Sequence, residues 1–566
     1  MNKQAVTERI NLTFQDNQKN DVELPFRILV LSNITADERA ENLVDHTVLK
    51  IDAGITNILA RQNISVKLNL NNHLKPHTDE ALMVNYSLNN LDDFSPENLI
   101  RGIPELRQAL KMHAMLSDEH VKPAVLANLL TEFGFNDQVN IDSSDKLIIQ
   151  AEMATRISQQ LDSIIQHQCF VTLETSWRSL DFLQQHVNTK ENTELVVINT
   201  SKVGLLEDFE DSPDITQSSL YQTVYSAEFG QFGGRPYGLM LGDFEFKSTA
   251  SDMALLQQLA KLAAIAHCPL ISAADASFFG IDDYKDFSRI RDIDAHFEQP
   301  MYAKWNSFRT NPDSQYVSLT LPRFLLRPSH SHHSSEFGYE EADRGIKGGL
   351  WGNSAYPLVT RFCNSFANYR WFVNVTGDEY GIIDDLKVQA GHGAVRSHIP
   401  TEVMISDRSE PDLVHNGFTP LTLHKASQKA GFFAAPSCRR EDDFPANADG
   451  RQEALNQRLE IQLPYMLISC RFSQYIKIMQ RENIGSWQTR SQLDQALSGW
   501  LKQYVSDMDN PAPSVRARRP LRNARVTVRE VEGKSGWFLV SMSLTPHFKY
   551  MGLSFTLTER SKLEKA

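Results

Sequence analysis

Apolar and polar residues alternate with period two over residues 10–14, and the apolar run over 24–31 reads as a buried strand. Alternation returns over 66–70 and 83–88, predicting two further strands. Ser95-Pro96-Glu97-Asn98 then has the form of a helix start, with Ser95 as N-cap and Pro96 at the first helical position. Leu99, Ile103, Leu106 and Leu110 follow at helical spacing, so residues 1–116 read as a complete small α/β unit. Residues 117–150 read as a connector, with a short helix over 125–133, then Gly134, then a polar-flanked strand over 138–142.

From 147 to 183 the pattern is helical, carried by Ile148, Met153, Ile157, Leu161, Ile164 and Ile165. Strands over 195–198 and 237–246, an Ala- and Leu-rich helix over 250–266 and a strand over 269–273 complete a β-α-β pattern. That pattern favours a doubly wound sheet. Residues 328–349 read as a Gly-, Ser- and His-rich loop, 434–458 as a polar, turn-rich stretch and 462–480 as a helix. Residues 525–529 and 538–542 alternate cleanly around the turn at 533–536, predicting a C-terminal hairpin, and 553–557 supply a third strand. The expected division is 1–116, connector 117–150, α/β domains over 151–433 and a C-terminal domain over 434–566.

Composition narrows the class. Hydrophobic residues are 41% and charged residues 22% of the 566, so large cores can be buried. The five cysteines are scattered and never form a C-x-x-C pair, which argues for a reducing compartment and against a disulfide framework. No apolar run reaches the ~18 residues of a membrane-spanning helix, and residues 1–20 hold no apolar segment of a secretory signal. The formal charge of −13 makes a general nucleic-acid binder an unsuitable reading. The expectation is a cytoplasmic, multi-domain, mixed α/β protein. Residues 511–566 carry eleven Lys/Arg against four Glu, +7, leaving −20 (−13 − 7) on the rest. A basic end on an acidic body can self-associate, or it can simply be a solvated face.

Candidate chemistry is thin. His330, His332 and His333 have the residue types of a metal site, but sit in a Ser-, Pro- and Gly-rich loop better read as exposed and polar. Glu228 to Gly238 is glycine-rich, yet Arg235 is followed by Pro236, which has no N–H to cradle a phosphate. Gly233-Gly234 reads better as a tight turn between a helix and a strand. Asp243 is a lone carboxylate, and His267-Cys268 on one strand would point to opposite faces. No G-x-S-x-G elbow, H-E-x-x-H or kinase-type motif occurs. No catalytic residue, metal or cofactor is expected.

Specific words of sequence say more. Leu173-Glu174-Thr175-Ser176-Trp177-Arg178-Ser179-Leu180, Glu228 to Gly238, Gly242-Asp243-Phe244 and Ala266-His267-Cys268-Pro269 resemble the large sheath subunit of the bacterial type VI secretion system. So do Leu321-Pro322-Arg323-Phe324-Leu325, Trp351-Gly352-Asn353, Pro400-Thr401-Glu402, Asn416-Gly417-Phe418, Leu463-Pro464-Tyr465, Cys470-Arg471-Phe472 and Ala517-Arg518-Arg519-Pro520-Leu521, in the family's order. Val22-Glu23-Leu24-Pro25-Phe26 and Leu91-Asp92-Asp93-Phe94-Ser95-Pro96 resemble the small sheath subunit. The chain looks like both subunits fused.

The resemblance implies a structural protein, not an enzyme, with a contractile-sheath fold of α/β sandwich domains and a C-terminal exchange hairpin. It implies a helical homopolymer around an inner tube protein, attached to baseplate proteins, without nucleic acid or membrane insertion. Neighbours would share strands, placing Val139, Ile141, Val526, Val528, Leu539 and Ser541 in an inter-protomer sheet. An AAA+ unfoldase that disassembles such sheaths would grip a helix carrying Leu126, Leu129 and Leu130. The competing readings are the sheath of another phage-tail-like contractile particle and an enzyme on a doubly wound sheet.

Overall fold

The computed structural model describes residues 11–15, 20–37, 43, 48–52, 54–78, 80–117, 123–135, 143–331, 337–341, 349–372, 374–388, 399–406, 408–424, 429–445, 447–482, 490–506, 519–530, 538–546 and 557–562. Seven strands form the central sheet: β1 (Phe26–Ser32), β2 (Val48–Lys50), β3 (Thr193–Asn199), β4 (Leu239–Phe246), β5 (Leu270–Ala274), β6 (Val317–Leu321) and β7 (Phe418–Pro420). Their order is β7-β6-β5-β4-β1-β3-β2. Every neighbouring pair is parallel except β2, which runs antiparallel along β3.

Side chains of each strand alternate between two cores, as a pleated sheet covered on both faces requires. Phe26, Ile28 and Val30 of β1 join one core, while Leu29 and Leu31 join the other. The first face is covered by the helices Gln168–His186, Ala355–Tyr369 and Leu463–Glu482, through residues such as Trp177, Phe366 and Phe472. The second carries the helix Ala250–Ala266 and an aromatic cluster of Phe278, Phe279, Phe297, Trp305 and Phe418. Thr249 caps that helix by accepting from the Asp252 N–H, and His267 ends it in the left-handed region at φ 49°.

The small N-terminal unit does not close on itself. Its hairpin, Ile64–Leu70 with Leu82–Leu88, is antiparallel and buries alternate residues as expected. Its apolar strand β1, however, leaves the unit and lies between β3 and β4, strands from beyond residue 190. The chain just before β1 is held from the C-terminal side. Arg471, 3% exposed, donates to the Leu24 carbonyl. The Tyr475 hydroxyl accepts from the Leu24 N–H at 2.7 Å and donates to the Leu12 carbonyl at 2.6 Å.

Two helices differ from expectation. The helix behind Ser95 is two, Pro96–Gly102 and Pro104–Ser117, because a residue preceding proline is pushed out of the helical region and Ile103 is extended. The N-cap stands, with Ser95 Oγ accepting from the Asn98 N–H at 3.4 Å. The stretch expected to be turns holds the helix Ala448–Glu460, capped by Asn447, whose polar residues disguise it. The expected strand over 138–142 lies outside the described residues.

Because β1 is common to both portions, Leu29→Ala should cost ~2–5 kcal/mol and lower the stability of the whole chain in one transition. Chemical denaturation followed by tryptophan fluorescence and by proteolysis of the first 116 residues should give coincident curves.

Candidate functional site

The C-terminal sheet is where the family resemblance places inter-protomer contact. Its strands are β8 (Leu521–Glu530), β9 (Phe538–Pro546) and β10 (Leu557–Lys562), antiparallel in that order. Val526, Val528, Val540, Met542 and Leu544 are buried in the same core as Leu493, Leu497 and Leu501 of the helix Arg490–Lys502. Thr527 pairs with Ser541 and Arg529 with Leu539 across β8 and β9. Ser541 also faces Arg560, and Leu539 faces Lys562, on β10. Leu539 and Ser541 therefore sit on the middle strand, whose two edges are both taken within the chain. Val526 and Val528 sit on an outer strand. The Val528 N–H donates to Asp494 Oδ1 at 3.3 Å, away from β9. With a two-residue backbone period, the polar groups of Ala524 and Val526 point the same way. Val139 and Ile141 lie outside the described residues.

The helix Pro123–Glu132 is seated. Leu130 is 4% exposed, Leu129 is half-buried, and the Leu126 side chain lies outside the described residues. Lys75 Nζ lies 2.9 Å from Glu132 Oε1, and Arg156 donates to the Phe133 carbonyl at 3.0 Å.

The glycine-rich segment is a locked turn. Glu228 lies 2.8 Å from Arg27 and accepts from the Arg235 N–H at 2.8 Å. Arg481 donates to the Glu228 and Gly234 carbonyls at 2.9 and 3.1 Å. Gly233 has φ 79°, and a Cβ on Gly234 would come within 2.4 Å of the Glu228 carbonyl oxygen. Its backbone is committed to this turn, which accounts for the glycines without a phosphate.

Three buried ionic and polar joints went unread in the sequence, because each is assembled from distant segments. Glu174 is fully buried, 2.9 Å from Arg327 Nε and 2.7 Å from Arg178 Nε. Burial alone would push its carboxyl up, but Arg327 and Arg178 hold it below the usual carboxylate range. Asp243 accepts from Ser32 of β1 at 2.7 Å; burial raises its carboxyl and the Ser32, Ser176 and Tyr356 hydroxyls pull it back. Glu402 takes both forks of Arg323, at 2.8 and 2.6 Å, beside Glu245 and Asp275 at the carboxyl ends of β4 and β5.

No nucleophile emerges at His267-Cys268: His267 is the helix cap, not a strand residue, and burial pushes the Cys268 thiol well up. His330 is half-buried, and burial and the Arg327 charge lower its imidazole to about 4, so it is neutral near pH 7. His332 and His333 lie outside the described residues. Among the described residues no three His, Cys, Asp or Glu side chains are placed to hold a metal ion, and no helix is long and apolar enough to cross a membrane.

Comparison with known proteins follows this geometry. The family described as "EvpB/VC_A0108, tail sheath N-terminal domain" matches residues 145–439. The type VI secretion system sheath protein TssC1 of Pseudomonas aeruginosa is 33% identical over 499 residues, 84% of this chain and 99% of that protein. The chain belongs to the type VI secretion tail-sheath family. Residues 452–563 of this sheath protein match a "tail sheath gpW/gp25-like domain", and residues 2–127 match "Type VI secretion system, VipA, VC_A0107 or Hcp2". Small and large sheath subunits are thus fused in one chain, whose relatives are structural proteins and not enzymes. Similar solved structures include a chain of the anti-feeding prophage contracted sheath (10% identity, TM-score 0.33, 69% of this chain and 79% of that one). The sheath tail protein Lin1278 of Listeria innocua is another (10% identity, TM-score 0.32, 65% and 61%).

Burial, with Asp275 and Glu402 adding to it and Arg323 opposing, raises Glu245 from 4.5 to about 7. The folded chain then keeps a proton that the unfolded chain releases between pH 4.5 and about 7, so stability falls as pH rises through that window and levels off above it. Glu460, also raised to about 7, has the same sign. Denaturation midpoints against pH should show this fall, and Glu245→Gln should make it clearly shallower.

Proposed function

We propose that this sheath protein polymerises head to tail into a helical tube around an inner tube protein in the cytoplasm, with baseplate proteins at one end, and that its contraction expels the inner tube. Head-to-tail contacts use two different surfaces and, where their rotation does not close a ring, extend without end, which is the geometry of a long sheath. The observation that carries the reading is the outer edge of β8. From Asn523 to Glu530 no strand pairs with that edge among the described residues, while its other edge is fully laddered to β9. A strand carrying Val139 and Ile141 of a neighbour adds there by backbone hydrogen bonds, the general mode of strand addition. Leu539 and Ser541 support the sheet from its middle, and Val526 and Val528 anchor it to the helix beneath. Each ring converts as its neighbour does, with energy stored in the extended lattice and no bound nucleotide.

Ala524→Pro removes an outward N–H without touching the β8–β9 ladder, a position where proline is tolerated. Circular dichroism melting should be unchanged within about 0.5 kcal/mol, while sedimentation and negative-stain microscopy should lose the tubes. Tubes of wild-type length would count against the shared edge.

We assign the helix Pro123–Glu132 to an AAA+ disassembly unfoldase, which can grip it only after Leu130 leaves its seat. Support comes from its apolar content and its place ahead of the large-subunit portion. Arg156→Ala, which unties Phe133, should raise retention on the unfoldase's N-terminal domain, and adding Leu129→Asp should abolish it. Equal retention of all three chains would remove the assignment.

A further inference from the structure

The polar stretch around the helix Ala448–Glu460 encloses, with Pro312 and Gln315, a cavity of about 460 Å³. Its lining sets apolar Phe444 and Ile461 beside Arg439, Glu453 and Glu460. Arg439 is already engaged, 3.2 Å from Asp442 Oδ2. Glu453 and Glu460 have no hydrogen bond or ion pair among the described residues. Burial raises the Glu460 carboxyl to about 7 against the pull of Arg439, and Arg439, already paired with Asp442, is the one cation among the lining residues, against three carboxylates.

The complementary charge is on the same chain. Residues 511–529 hold six arginines and no acidic residue. Arg519, Arg525 and Arg529 are exposed, the last two on the face of β8 opposite buried Val526 and Val528. None of the three has an ion pair among the described residues. An acidic cavity and exposed arginines that leave each other unpaired within one chain have the charge complementarity that two unlike surfaces of a head-to-tail contact require.

We propose that the cavity lined by Glu453 and Glu460 receives Arg519, Arg525 or Arg529 of a second copy of this chain. The aliphatic stem lies against Pro312, Phe444 and Ile461, and the guanidinium sits between the two carboxylates. Arginine suits this better than lysine, because its planar fork matches carboxylates and its stem tolerates an apolar wall. This contact rests on the polymer reading and adds to it a second attachment point, distinct from the backbone edge of β8.

The test uses a labelled peptide of residues 514–525, titrated onto the full chain below the concentration at which copies associate. Wild type should bind it, Glu453→Gln with Glu460→Gln should bind about ten-fold more weakly, and added salt should weaken only the wild-type complex. In assembly, Glu453→Lys with Glu460→Lys should stop copies joining. Adding Arg519→Glu, Arg525→Glu and Arg529→Glu to that chain should restore it. Peptide affinity that ignores the glutamine changes, or tubes from the lysine variant, overturns the contact. A wild-type chain that stays single in sedimentation fails the polymer reading instead, and cavity-dependent peptide binding then still supports the charge match.

Discussion

Everything in this molecule is organised around one strand hydrogen-bonded on both sides. β1 pairs residue by residue with β3 from Phe26 to Ser32 and with β4 from Ile28 to Leu31. It supplies alternate side chains to both cores, so it satisfies every condition of a fully covered parallel strand at once. Arg471 and Tyr475 fix the chain that leads into it, from a helix more than 400 positions later. The small-subunit portion is therefore a component of the large portion's sheet, and the C-terminal helix Leu463–Glu482 is fastened to the same place.

The buried polar groups reinforce this arrangement. A carboxylate taken out of water is costly unless it is paired and hydrogen-bonded. Glu174 meets that condition when Arg178, on its own helix, and Arg327, 153 positions later, are both in position. Asp243 meets it when β1 brings Ser32 alongside, and Arg27 ties β1 to Glu194 of β3 and to Glu228 of the glycine turn. These contacts favour one register of β1 over its neighbours, the kind of specificity that an apolar core alone leaves loose. The conspicuous glycines and carboxylates thus join segments to each other, and reactive chemistry is absent from their roles.

Much of the architecture could be read from residue order, and the exceptions have physical causes. The run over 24–31 announced a buried strand, and the Ala-rich helix ended where Thr249 and His267 end it. The interruption at Ile103 was readable from Pro104 alone. The helix Ala448–Glu460 was hidden because few of its side chains are buried, so no apolar stripe marks it. At the C-terminal sheet, alternation located β8 and β9, but which edge stays open depends on where β10 pairs, a non-local choice. For the same reason Glu174, Asp243 and Glu245 carried no signal: their partners lie far away along the chain. The tail-sheath words between Leu173 and Leu521 identified the family even where they said nothing of these contacts.

Covalent continuity between the two portions changes the solution chemistry of the particle's building block. Where small and large subunits are separate molecules, their pairing is a bimolecular equilibrium that dilution weakens. Here β1 finds its slot as an intramolecular event, at an effective concentration that dilution does not change. The stoichiometry is locked at one to one, and no unpaired large portion exposes the empty slot between β3 and β4.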